Sequence, residues 1–246
     1  MISGTATTSE LAVGARTIES FSEESVTLSG VECFQLIAEM RNTAREAVLP
    51  PGLHPTVPPG LSLQAWNVAE SPWGSFSMAI VRVGCRSGAR ARGFVVGTVV
   101  STDTAADGLA GTYGFPSRVG AVNLRHSYDG VDATVALDGT VIAAATGLDP
   151  TPMATDDVQY TGSLTLAHTP LGLRLVQVEA THQSTSVERL TARLGTFDGT
   201  GWGQRLLDPY FVVSASVARS EVTMPAVRFV CDPDAYAWDG TEAVSN

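Results

Sequence analysis

No lysine occurs anywhere in this chain of 246 residues; all 15 basic side chains are arginines. Compositional bias of a GC-rich source suffices to explain the absence, but its chemical consequence is firm. A guanidinium stays protonated, with a pKa above about 12, so no side chain here can serve as an amine nucleophile. Cysteine is scarce too. Cys33, Cys85 and Cys231 are far apart and odd in number, which excludes a CxxC metal pattern and a disulfide framework. They are expected to be buried free thiols, with a reactive Cys85 in an arginine-rich stretch as the minor alternative. Positive charge is short overall, since 25 acidic residues give a formal net charge of −10. That balance argues against a nucleic-acid partner. Arg82, Arg86, Arg90 and Arg92 do cluster, and they read as a solvated or subunit-contacting strand. Long apolar runs are absent as well. None approaches the roughly 18 residues of a membrane span. The opening MISGTATTSELAVGART lacks the basic and apolar regions of a secretory signal, so a cytoplasmic location is expected. His54, His126, His168 and His182 share no metal-ligand spacing, and neither a metal nor a cofactor is expected.

What is present is turn chemistry and strand patterning. The chain is 44% hydrophobic with 24 glycines and 13 prolines spread along it, which implies many turns rather than long helices. Residues 1–25, rich in Ser, Thr, Ala and Glu, read as a loose arm or as a strand pairing with something else. Residues 26–246 read as a single domain without repeats or a linker. Strands are expected at Val31–Ile37, Leu61–Val68, Gly74–Val83, Gly93–Val100, Ala121–Ser127, Val131–Leu137 and Thr140–Ala145. Others are expected at Val158–Thr165, Leu173–Thr181, Ser184–Thr196 and Glu221–Phe229. In Gly74–Val83, Phe76, Met78, Ile80 and Arg82 fall on one parity. Asp129-Gly130 and Asp138-Gly139 are hairpin signals. Helices are expected at Arg41–Val48, Ser101–Tyr113 and, against its β-branched valines, Pro209–Ala218. Thr102 or Thr104 is placed to cap the second, and Gly114 to end it. The fold class is therefore mainly β (α+β), antiparallel and barrel-like with a few short helices. Such an interior offers a small-molecule pocket.

The segment Gly108–Val119, with Phe115-Pro116-Ser117-Arg118-Val119-Gly120 at its end, resembles the signature of the acetoacetate decarboxylase superfamily: a helix, then aromatic-Pro-Lys-Lys and Leu-Gly or similar. The hairpins at Tyr128-Asp129-Gly130 and Asp138-Gly139 fit that family, as do Phe34–Leu53 and the Asp208–Tyr236 region, which matches its last helix and strand. The resemblance covers roughly residues 26–236, and it lies in order and spacing more than in any one motif. In that family the first lysine forms a Schiff base with the substrate ketone and the second lowers its pKa. Ser117 and Arg118 stand at those positions. The family's strand arginine corresponds to Val31, and its two glutamates correspond to Met78 and to the neighbourhood of Gln64. By this resemblance the chain is a divergent member that lacks the Schiff-base lysine, and homo-oligomers are expected.

The site residues implied are Ser117, Arg118, His126 and Glu179 for catalysis, with Tyr113, Phe115, Met78, Gln64, Trp66 and Val31 around the substrate. Two readings stand for Ser117: filler of the space a lysine left, or hydrogen-bond donor to a carbonyl. Arg118 either points inward and binds a carboxylate or enolate, or points outward as a surface arginine. His126 and Glu179 are acid–base candidates because both fall in expected strands. Two functions follow. The first is a cofactor-independent lyase, dehydratase or cyclase acting on a keto-acid or polyketide-like substrate without an imine, with natural-product metabolism as the expected setting. The second is a binding protein or carrier that keeps the pocket and does no chemistry.

Overall fold

The computed structural model describes residues 2–244; residue 1 of the expected arm and residues 245–246 of the expected domain lie outside them. In chain order the strands are β1 (Arg16–Thr17), β2 (Val26–Met40), β3 (His54–Pro55), β4 (Gly60–Val68), β5 (Phe76–Ser87), β6 (Arg90–Val100), β7 (Ser117–Val119) and β8 (Ala121–Ser127). They continue as β9 (Gly130–Leu137), β10 (Thr140–Pro152), β11 (Ser163–Thr169), β12 (Gly172–Val178), β13 (Thr181–Phe197), β14 (Pro209–Met224), β15 (Phe229–Cys231) and β16 (Thr241–Ala243). The helices are α1 (Thr8–Ala12), α2 (Asn42–Arg45), α3 (Asp103–Tyr113) and α4 (Ala237–Gly240). No helix among the described residues is long and apolar enough to cross a membrane.

One sheet carries all sixteen strands of the described residues, with the path β16-β15-β12-β11-β6-β5-β4-β2-β14-β13-β10-β9-β8 and with β1, β3 and β7 attached to β11, β5 and β6. The pairs β1–β11, β11–β6 and β6–β7 are parallel, so the sheet is mixed rather than wholly antiparallel. It curls without closing: β8 packs back over β4, where Asn67 donates to the Leu124 carbonyl at 3.1 Å, but forms no ladder with it.

The central strands β2, β4, β5 and β6 are covered on both faces, which is why β5 reads as a near-continuous apolar run. One face presents Phe34, Leu36, Leu63, Ala79 and Val81 to a core shared with Val122, Val135 and Ile142 of β8–β10. The other presents Cys33, Trp66, Met78, Ile80 and Val100 to a second core with Leu109 and Tyr113 of α3 and Val176 and Val178 of β12. Helix α3 is built as its sequence dictates. The Thr102 hydroxyl accepts from the Ala105 N–H at 3.4 Å, and Gly114 ends the helix at φ 68°. A Cβ at Gly114 would stand 2.6 Å from the Ala167 Cβ, so the turn requires glycine.

Two expectations are corrected. Pro209–Ala218 is strand, not helix: β14 pairs with β2 from Pro209 to Met224, and its valines suit that pleated surface. Residues 158–162 are not strand. They follow a single 3-10 turn at Thr155–Asp157 and cross the second core as an irregular strap before β11 begins.

Candidate functional site

The second core encloses a small chamber of about 20 Å³, walled by Trp66, Met78, Ile80, Leu109, Phe115, Val178 and Met224 together with Arg82, His182 and Thr161. That volume is room for about one water. Strand register explains how polar groups arrive there. Ser216, Gln35, Gln64, Ile80, Thr98 and Ser117 are successive Cα partners across β14, β2, β4, β5, β6 and β7, so their side chains form one row on the chamber side of the sheet. The neighbouring row contains Arg82, paired with Ser62 and Val95.

Arg82 is the chemical centre of this arrangement. It is only 6% exposed, and among the described residues no carboxylate pairs with it. Its Nη2 donates to Gln64 Oε1 at 2.7 Å and its Nη1 to the Thr161 carbonyl at 3.4 Å, while its Nε has no partner. Gln64 Nε2 donates in turn to Gln35 Oε1, Trp66 Nε1 reaches Gln64 Oε1 at 3.3 Å, and Gln35 Nε2 reaches the Gln159 carbonyl at 3.4 Å. Every partner of the guanidinium is therefore neutral. Burial pushes Arg82 down to about 10, still protonated at neutral pH.

His182 faces the same space. Its ring stacks on Tyr160 with centroids 3.7 Å apart and 7° between planes, and meets Trp66 edge-on at 5.5 Å. Burial, followed by the charge of Arg82, holds it down at about 4, so the imidazole is neutral at physiological pH. Its Nδ1 has no hydrogen-bond partner. Tyr160 is pushed upward by burial. Cys33 is pushed up to about 12 by burial despite Arg82, and Cys85 likewise to about 12. Both remain thiols, against the reactive alternative for Cys85. The strap covers this side through Tyr160 and Thr161. Beyond Gln35 and Gln159 lies an open cleft of about 500 Å³ lined also by Asp157, Arg189 and Ser216.

The expected site residues divide. Trp66, Met78 and Phe115 line the chamber, and Gln64 is bonded to Arg82. Val31 and Tyr113 lie in the surrounding apolar shell; the Tyr113 hydroxyl donates to the Met224 carbonyl at 2.9 Å. Ser117 is buried beside Thr98 on the chamber side, outside the lining, and neither hydroxyl has a partner. Arg118 turns to the opposite face, where it donates to the Gly201 carbonyl at 2.6 Å, because adjacent strand residues alternate sides. His126 lies outside the chamber, between Glu32 (2.9 Å) and Glu188 (3.3 Å) beside an open cleft. Glu179 lies just past the end of β12 and pairs with Arg92. The structure thus brings Arg82, Gln64 and His182 together and leaves Arg118, His126 and Glu179 outside. Arg82 is buried, against the solvated-strand expectation, because β5 is covered on both faces. Its parity with Phe76, Met78 and Ile80 was the signal for it. His182 had none.

Among the described residues no group of three or more His, Cys, Asp or Glu could hold a metal ion. No protein-family model matches the chain, and no curated protein matches it. Solved structures do. Acetoacetate decarboxylase from Legionella pneumophila superposes with a TM-score of 0.72 at 16% identity, covering 85% of this chain and 88% of that one. A second acetoacetate decarboxylase structure gives 0.75 at 15%, covering 84% and 89%. The enduracididine biosynthesis enzyme MppR complexed with pyruvate gives 0.69 at 16%, covering 84% and 90%. The chain has the acetoacetate decarboxylase-like fold.

Proposed function

We propose that this chain is a small-molecule enzyme that uses an acetoacetate decarboxylase-like chamber for enolate chemistry on a keto acid, without an imine. One observation carries the reading: the chamber holds a buried guanidinium whose hydrogen-bond partners are all neutral. A charge so placed is costly to bury, and a substrate carboxylate or developing enolate oxygen is the natural counter-ion. Solved structures of similar fold are named as decarboxylases and as an enzyme with pyruvate bound, which supports a small keto acid.

Each group then has a role. Arg82 holds the anionic oxygen. Gln64, oriented by Gln35 and Trp66, fixes the guanidinium. His182, neutral and with a free Nδ1, removes or returns the proton next to the carbonyl. Trp66, Met78, Ile80 and Phe115 exclude water and hold the substrate carbon chain in one conformer. The described chamber is far smaller than an occupied ligand pocket, which is typically about 300–1,000 Å³. Substrate entry therefore displaces the strap at residues 158–162 toward the outer cleft. Dehydratase and cyclase outcomes begin from this enolate, whereas a decarboxylating lyase forms it as carbon dioxide leaves.

Among the described residues no carboxylate lines the chamber, which favours a second reading, a non-catalytic binder. One experiment separates the two. The protein is incubated in D2O with a panel of 2- and 3-keto acids, including pyruvate and acetoacetate, and followed by proton NMR. Deuterium incorporation or turnover that is lost in His182→Phe supports the enzyme, and borohydride added during turnover leaves the protein mass unchanged. Saturable binding without exchange supports the binder. Neither binding nor exchange across the panel overturns the keto-acid reading.

A further inference from the structure

We propose that a second ligand site, specific for a phosphate monoester, lies on the far side of the sheet from the chamber, between Arg16 and Arg118. The two arginines share a cleft of about 480 Å³ with apolar walls that include Leu11, Val96 and Leu166. Their strands set them there. Arg16 is in β1, which pairs in parallel with β11. Arg118 is the β7 residue that alternation turns away from the chamber.

Each guanidinium has five N–H donors. Arg16 gives one hydrogen bond to the Ser117 carbonyl, and Arg118 gives one to the Gly201 carbonyl at 2.6 Å. Among the described residues neither takes part in an ion pair. In a chain with 25 acidic and 15 basic residues, carboxylates are plentiful, yet none has been recruited. Glu10 lines the cleft without bonding to either arginine, and Asp138 is the acidic group that Arg118 feels. Burial and then the like charge of Arg16 both disfavour the Arg118 cation. A dianion relieves this strain at both ends. Its tetrahedral oxygens match two planar forks, whereas a monoanion such as chloride satisfies one. The apolar walls take the organic part of the ester.

This site is independent of the keto-acid chemistry, and its test uses inorganic phosphate as the probe. Melting temperature is followed against phosphate concentration at fixed pH and ionic strength, with sodium chloride and succinate as the other arms. The expected result is a saturable rise with phosphate alone, weakened at least tenfold in apparent affinity by Arg16→Gln and by Arg118→Gln, and unchanged in Arg41→Gln. Arg16 is exposed and its strand is held by backbone pairing, so Arg16→Gln decides the matter even if Arg118→Gln does not fold. A response no larger than that to sodium chloride overturns the site. So does a phosphate response that survives Arg16→Gln, or a response to succinate in place of phosphate.

Discussion

Replacing Arg82 by methionine separates a functional charge from a structural one. Burial lowers the guanidinium from its ordinary range to about 10, equivalent to about 3 kcal/mol against the charged form at 1.36 kcal/mol per tenfold. The 2.7 Å hydrogen bond to Gln64 returns about 1.5–3 kcal/mol, the usual range for a charged donor. The two nearly cancel, and the Nε without a partner gains nothing. Methionine has similar length and no charge to desolvate, and Gln64 Oε1 keeps its contact from Trp66 at 3.3 Å. Arg82→Met is therefore expected to fold as stably as the parent or to gain up to about 2 kcal/mol, with an unchanged urea m-value. Pyruvate or acetoacetate affinity, measured by titration calorimetry, is expected to fall at least tenfold. A loss of more than about 3 kcal/mol in urea unfolding would show that the guanidinium holds the fold together, and unchanged ligand affinity would remove it from the site. Either result refutes the reasoning.

Three other outcomes are expected. His182 sits at about 4 when folded against 6.5 ordinarily, so its contribution is intact above pH 6.5 and is lost as pH falls from 6.5 toward 4, because the unfolded chain takes up the proton first. By pH 5 the loss is about 2 kcal/mol; His182→Phe, which keeps the stack on Tyr160, flattens the pH dependence of urea unfolding by that amount, and an unflattened curve contradicts the burial. Gly114→Ala is expected to cost at least about 2 kcal/mol in thermal or urea unfolding, from the left-handed backbone and the crowding against Ala167; a neutral result would mean that the turn can relax. Cys33 and Cys85, pushed up to about 12 by burial, are expected to resist a disulfide-exchange reagent at pH 8 until urea unfolds the chain. Rapid labelling of either in the folded protein, read by peptide mass spectrometry, contradicts their enclosure.

Much of the frame was legible because it rests on local rules. The capping threonine, the glycine at the end of α3, the Phe115-Pro116 stop and the two Asp-Gly hairpins are each decided by neighbours a few residues away. What failed depended on distant partners. Pro209–Ala218 became strand because β2 supplies a ladder along its length, which no local window contains. Arg82 shares the parity of the apolar residues of its strand, yet a charged residue is ordinarily a surface residue. The burial of β5 on both faces is a property of the whole sheet. The orientation of Arg118 depended on the pairing of β7 with β6, so a sequence position facing a family's catalytic lysine did not fix a direction in space. His182 entered the chamber only because β13 and the strap at residues 158–162 meet there.

The three residues of β7 act as a partition with a defined phase. Ser117 belongs to one compartment and Arg118 to the other, and the turn at Gly114-Phe115-Pro116 sets which is which. Strand side chains alternate, so deleting or inserting one residue in that turn, with the pairing to β6 kept, would exchange their assignments. A fixed cation would then stand at the edge of the chamber, and the cleft on the far side of the sheet would be left with Arg16 alone. Turn length, more than the identity of either side chain, is thus the variable by which relatives of this fold can move charge from one side of the sheet to the other.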